Sequence, residues 1–193
     1  MEEMKLGNPA AVGLAGFAMT TFILQCHNLG WVDLTPVLWL GIFYGGLAQF
    51  IAGFLEFRVG NNFGFSAFVS YGAFWIALAL FVIFGTNGDL DKAYPVLKLT
   101  GQGLGFFLLA WAIYTGIMFI ASMKHNGVLA FIFLTLFLGF VGLTFKELAG
   151  SKLMGTLAAW DLIVCAFSAW YLMAHVILAD VGVNLPVGKA WLK

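Results

Sequence analysis

The sequence predicts an all-α membrane protein, a bundle of six transmembrane helices, and three observations carry that expectation. Of 193 residues, 62% are hydrophobic and only 9% are charged, against roughly a quarter charged in soluble domains. Six apolar stretches are each long enough to cross a bilayer, and only short polar segments separate them. A mean hydropathy of +0.98 and 24 glycines fit a chain solvated by lipid, where glycine is commoner than in soluble helices.

Crossing about 30 Å of hydrocarbon takes about 20 apolar residues at roughly 1.5 Å each. The first expected span, 9–26, opens on Asn8 and Pro9, a cap followed by a residue preset for a first helical turn, and ends at the polar run 26–30. The second, 36–55, opens on Pro36 and ends before Glu56 and Arg58. The third, 64–84, runs from Gly64 to the acidic segment 88–92. The fourth, 101–123, stops before Lys124 and His125; the fifth, 128–145, before Lys146 and Glu147. The sixth, 153–178, follows Lys152. The first and fifth are the shortest. Residues 1–193 read as a single polytopic membrane domain. The opening residues, with Glu2, Glu3 and Lys5, lack the basic region and cleavage site of a signal peptide, so the first span is expected to stay.

An even number of spans puts both termini on one side. That side carries five basic residues (Lys5, Arg58, Lys124, Lys189, Lys193) and the other four (Lys92, Lys98, Lys146, Lys152), a small bias toward cytoplasmic termini in the cell (inner) membrane. Nine basic residues balance nine acidic ones, so nothing points to nucleic acid. Cys26 and Cys165 fall in or beside apolar runs, where a reduced thiol acts as a small hydrophobe, and no disulfide is expected. No metal-ligand spacing, phosphate loop, nucleophile elbow or catalytic carboxylate pair is present. No catalytic residue, metal or cofactor is expected, and the chain does not read as an enzyme.

The spans read as three helix pairs. Asn8, Asn62 and Asn126 stand just before the first, third and fifth spans, where asparagine can cap orphan N–H groups. Phe17 and Tyr71 follow the first two by nine residues, and Leu136 follows the third by ten. That rise is roughly 14 Å, about half the bilayer, so three bulky side chains are expected at one depth. Asparagines are common at helix starts, so spacing alone also allows a chance pattern.

Polar side chains mark faces turned from lipid. The second span carries Gly41, Gly45, Gln49, Gly53 and Glu56 at steps of three and four, the sixth Asp161, Cys165, Ser168, Leu172 and His175, and the first Gly13, Phe17, Thr20, Leu24 and Asn28, with Thr21 and His27 beside them. Ser66 and Ser70 flank Tyr71 on the third. The glycines read first as close helix packing, and hydroxyls in such helices can bond back to their own carbonyls. Asp161, well inside a span, is either a proton or pathway site or a neutral or interfacial carboxyl. His27 and His175 lie near span ends and read as interfacial.

The run Asn8-Pro9-Ala10-Ala11-Val12-Gly13-Leu14-Ala15-Gly16-Phe17, then Met19-Thr20-Thr21 and His27-Asn28, resembles the signature of the acetate uptake transporter family, the succinate/acetate permeases. The likeness continues through Gly41 to Gln49, Ala52-Gly53, Glu56, Gly60-Asn61 and Phe68 to Trp75, and more loosely beyond. The resemblance implies six-helix protomers, each with a central pore, assembled as a homohexamer that carries acetate and in some members succinate. It implies a hydrophobic constriction at Phe17, Tyr71 and Leu136, and an effect of Ala169 on substrate range. The family's proline after Ala10 is Ala11 here, and Asp161 stands where an apolar or small residue is expected.

A conduit for a small monocarboxylate needs donors that do not trap it. Thr20, Thr21, Ser66, Ser70, Tyr71 and Gln49 offer them, and helix N-termini capped by Asn8 and Asn62 favour an anion. Symport with protons through Asp161 and passive anion-channel flux both fit. A channel for a neutral solute such as urea or a short amide is the competing reading. An intramembrane enzyme using Asp161 and His175 fails on distance, since fourteen residues of one helix span roughly 21 Å. A purely structural subunit would not need polar stripes on several helices.

Overall fold

The computed structural model describes residues 7–193; Lys5 and the acidic opening residues lie outside it. Six helices are long and apolar enough to span a membrane: α1 (Ala10–Asn28), α2 (Thr35–Arg58), α3 (Asn62–Gly85), α4 (Gly101–Ser122), α5 (Gly127–Ala149) and α6 (Lys152–Ala179). All six expected spans are present, each within three or four residues of its expected ends. α5, at 23 residues, is longer than α4, at 22; the polar residues Lys146 and Glu147, read as a stop, are instead its last turn.

Local chemistry fixes the ends. Asn8 Oδ1 accepts the Ala10 N–H at 3.0 Å. α2 runs into α3 through a tight turn in which Gly60 adopts φ +80°, a left-handed conformation that a side chain would strain; the Asn61 N–H then closes back on the Glu56 carbonyl at 3.0 Å. That turn makes Asn61, not Asn62, the cap of α3, its Oδ1 accepting from Gly64 N at 3.0 Å. Thr100, Asn126 and Ser151 cap α4, α5 and α6 in the same way. A short helix, Gly88–Ala93, and a single 3₁₀ turn, Pro95–Leu97, join α3 to α4.

α6 packs between α1 and α5, α5 against α4, and α3 against α2, which also lies along α1. Within α2, Phe43–Ala48 forms a wider π-helical turn. The stripe Gly41, Gly45, Gln49, Gly53 would drift by about 40° per step on a straight helix of 3.6 residues per turn. Local under-winding at such an i-to-i+5 turn brings it back, and all four residues, with Glu56, are buried. The widened turn also presses on α1, since a Cβ on Gly16 would lie 2.6 Å from the Tyr44 carbonyl oxygen. The stripe expected on α6 divides: Cys165 is buried, its Sγ donating to the Ile132 carbonyl, whereas Ser168 bonds back to Val164 and lines an outer groove with Phe131 and Tyr171. The C-terminal segment folds over the α4–α5 turn, with Val187 O accepting from Val128 N and Met123 O from Trp191 N.

Candidate transport pathway

Three cavities lie in a row along the bundle. The first, about 280 Å³, sits where α1, α3 and α5 begin and α6 ends; its wall is apolar (Leu14, Phe68, Phe133) with Gln49, Asn61, Asn126 and His175 as polar points. The second is small, about 20 Å³, and is lined by Thr21, Gln25, Phe74 and Leu162 among others. The third, about 230 Å³, lies at the opposite end of α1 and α3, beside His27, Asn28 and Thr86. Phe17, Tyr71 and Leu136 are the residues common to the walls of the first two. Leu24 and Trp75 are common to the second and third.

The three residues expected at one depth therefore meet, and each is buried. Phe17 and Tyr71 have ring centroids 6.2 Å apart, and Tyr71 is further packed by Trp111, Tyr114 and Phe133. The Tyr71 hydroxyl, expected as a donor in the conduit, is engaged instead with Thr115 Oγ1 of α4 at 2.9 Å. That bond orients the ring and leaves its apolar body to the passage.

The other expected pathway residues divide into two groups. Gln49 lines the first cavity and Thr21 the second. Thr20 is fully buried between helices, against Gly45, and lines none of the three; neighbouring residues on a helix point about 100° apart, so only one of the pair Thr20 and Thr21 can face the row. Ser66 and Ser70 are half-buried and also stand off it, the Ser66 carbonyl accepting from the Tyr114 hydroxyl at 2.8 Å. Ala169 is fully buried in the helix packing. Asn8 lines a separate shallow pocket with Arg58.

Asp161 also stands outside the row. Its neighbour Trp160 packs edge-on against Trp31, centroids 5.5 Å apart, and Trp31 lies beyond the end of α1. Both indoles are exposed, the pattern of an interfacial aromatic belt. Asp161 is half-buried, with Oδ2 lacking a protein partner, and the next residue, Leu162, packs on Gly139 of α5 and lines the second cavity. His27 Nδ1 pairs with the Val32 carbonyl oxygen at 3.1 Å, and His175 Nδ1 with that of Leu185 at 2.7 Å.

Glu56, Gln25 and Trp75 stand on or beside the row, although the sequence did not single them out as pathway residues. Glu56 is buried beside the first cavity, Oε2 accepting from Asn61 Nδ2 at 2.7 Å. Gln25 was legible as the residue one turn after Thr21, on the same face. Trp75 ends the family-like run from Phe68, but no polar pattern separates it from six other tryptophans. Electrostatically, Asn61 and Asn126 bring two helix N-termini to the first cavity, where the macrodipole favours an anion. Among the described residues no lysine or arginine lines the row.

A family model described as the GPR1/FUN34/yaaH family matches residues 1–186. The chain belongs to the GPR1/FUN34/yaaH family. Its relatives within the GPR1/FUN34/yaaH family include the succinate-acetate/proton symporter SatP of Escherichia coli (strain K12), 39% identical over 98% of this chain and 100% of SatP. Acetate permease A of Emericella nidulans is 37% identical over 89% of this chain and 61% of its own length. The solved structure of the bacterial acetate channel SatP superposes with a TM-score of 0.87 at 38% identity, covering 95% of this chain and all of that one. The resemblance read from Asn8 to Trp75 thus holds across the whole chain. These relatives are named for acetate or succinate transport; another, ammonia transport outward protein 2 of Saccharomyces cerevisiae, 36% identical over 86% of this chain and 60% of its own length, is named for ammonia.

Proposed function

We propose that this chain carries acetate, and other small carboxylates such as succinate, across the cell membrane through the row of cavities, with Phe17, Tyr71 and Leu136 as its constriction. One observation carries the assignment: these three side chains are the shared wall of a wide cavity and a narrow one. An anion reaching them loses most of its water, so an apolar ring is a barrier that small monocarboxylates cross most readily. Capped helix N-termini ahead of the ring gather the anion without a fixed cation to trap it. The bilayer-spanning unit is the single domain 1–193, with both termini cytoplasmic. The protomers form a homohexamer, supported by the resemblance and by the outward row of Trp39, Phe43, Leu47 and Ile51 on α2, an apolar face suited to lipid or to a second copy.

Uptake of labelled acetate, lactate and urea into proteoliposomes, with and without a pH gradient, tests this reading. Wild-type protein should take up acetate well ahead of lactate and urea, and a gradient effect marks proton coupling over passive flow. Lactate adds a carbon and a hydroxyl to acetate, and an apolar site discriminates an added carbon by roughly 10- to 200-fold, so Leu136→Ala or Phe17→Ala should relax the acetate-over-lactate preference about tenfold. Unchanged preference in both variants overturns the constriction. Absence of acetate uptake by wild-type protein overturns the function itself.

A further inference from the structure

The hydroxyls of Tyr71 and Thr115 bond to each other at 2.9 Å, and among the described residues neither has another partner. Thr115 is fully buried on α4, a helix that adds no side chain to the walls of the first two cavities. Other buried threonines are satisfied locally: Thr135 and Thr144 of α5 donate to carbonyls of their own helix one turn back, a common choice in membrane helices. Thr115 reaches across to α3 instead. Tyr114 beside it does the same, its hydroxyl donating to the Ser66 carbonyl at 2.8 Å. α4 thus packs along α5 and holds α3 at two points. The Tyr71 ring is boxed by Phe17, Trp111, Tyr114 and Phe133, with centroids 5.7–6.2 Å away, and inside that aromatic box Thr115 is the phenol's hydrogen-bond partner.

We propose that Thr115 is a positioning residue for transport: by holding the Tyr71 hydroxyl toward α4, it keeps the constriction a barrier and stops it from becoming a trap. The inference rests on the transport reading above for the solute's class. A phenol is a more acidic donor than an aliphatic hydroxyl, so Tyr71 donates and Thr115 accepts. A hydrogen bond from the same phenol to a carboxylate would be about twice as strong as this neutral one, and conduction needs contacts weak enough to release the ion. With Thr115 in place the Tyr71 O–H is committed away from the passage, and the anion meets ring carbon. Without it the O–H is free to rotate about its C–O bond, and the headgroup of a passing acid becomes its acceptor. Thr115 therefore acts on a solute it does not touch, through the side chain it holds. The dependence runs one way. Thr115 deprived of Tyr71 can bond to a carbonyl of its own helix, as Thr135 does, whereas a phenol, held a ring's length from its own backbone, has no such recourse.

Flux and stability test this separately. In proteoliposomes, Thr115→Val should lower the apparent KM for acetate about tenfold, the gain of one hydrogen bond to a charged group, and lower the maximal rate in proportion, because release slows. Thr115→Ser should restore both. In a Tyr71→Phe background, Thr115→Val should change neither. A merely structural Thr115 would lower the rate at unchanged KM, and would do so in both backgrounds; that result, or wild-type kinetics in Thr115→Val, overturns the proposal. Thermal unfolding in detergent reads the bond without transport: Tyr71→Phe/Thr115→Val should lose less stability than the sum of the two single variants. Strict additivity overturns the positioning; coupling in protein that takes up no acetate preserves it while sinking the transport reading. Valine keeps the shape of threonine, and Thr115→Ala carries the same comparison if Thr115→Val does not fold.

Discussion

Glu56 on α2 and Asp161 on α6 are both carboxylates inside spanning helices, and each has one buried oxygen without a protein partner. They differ in what surrounds them. Glu56 accepts from Asn61 at 2.7 Å and lies next to Gly64, and both of those residues line the first cavity. Asp161 follows Trp160, which packs on Trp31, and is not itself in the wall of any of the three cavities. An intramembrane charge is costly in either place, so the cost alone does not mark a functional group. What separates the two is position: Glu56 is bonded to a residue of the first cavity's wall and Asp161 is not.

The largest expected effect follows at Glu56. Glu56→Ala removes the carboxylate and leaves the Asn61 amide without its acceptor, a loss of about 1.5–3 kcal/mol for a hydrogen bond to a charged group, so the thermal midpoint in detergent should drop and acetate uptake with it. Glu56→Gln separates charge from structure, because its amide oxygen can still accept from Asn61. An ionised carboxylate beside the anion's path repels it, and protonation removes the repulsion as pH falls. The Gln variant is fixed in the uncharged condition, so its uptake should match wild type at low pH, exceed it at high pH and show a flatter profile. His175 carries the imidazole in the wall of that cavity, and a His175→Gln control shows whether Glu56 alone sets the slope. A Glu56→Gln profile that overlays the wild-type curve would erase the distinction between the two carboxylates.

The helices and the meeting of Phe17, Tyr71 and Leu136 were legible in the sequence because helical rise is regular and each odd-numbered span begins at an asparagine. A count of residues from a marked start becomes a depth. Rotation about the helix axis was not legible to the same degree. Thr20 and Thr21 have equal chemistry, and only the approach of Gly45 to Thr20 settles which one is packed and which one faces the row. The π-helical turn at Phe43–Ala48 changes rotation part-way along α2 and leaves no mark in composition. Asn62, expected as the cap of the third span, gives way to Asn61 because the left-handed Gly60 fixes the turn. The hydrophobic pattern says still less about Trp75, whose ring is ordinary core and whose single N–H has no protein partner.

A middle-sized effect is expected at Asn61, which links Glu56 to the helix end at the first cavity. Asn61→Ala removes both the α3 cap and the donor to Glu56, and loss of a cap costs about 1 kcal/mol. Asn126→Ala removes only a cap, that of α5. Measured by thermal unfolding in detergent, Asn61→Ala should therefore be the more destabilising of the two, and only Asn61→Ala should change the pH profile of uptake. Equal effects from the two variants would mean that Glu56 does not act through its bond to Asn61.

The smallest effect is expected at Asp161, and a small effect there is informative. Asp161→Asn keeps the side chain's size, and Asp161 touches none of the cavities, so acetate uptake should keep its rate and its pH profile. Stability should change little or rise slightly, since an amide is less costly than a carboxylate to hold half-buried in a spanning helix. The measurement is uptake at several external pH values in proteoliposomes, paired with thermal unfolding of the same preparation. A displaced pH profile would place a proton-handling group outside the row of cavities and require a separate route for the proton along α6. An unchanged profile in Asp161→Asn alongside a flattened one in Glu56→Gln would tie any coupling to the first cavity, on the side of the ring where the helix N-termini gather the anion.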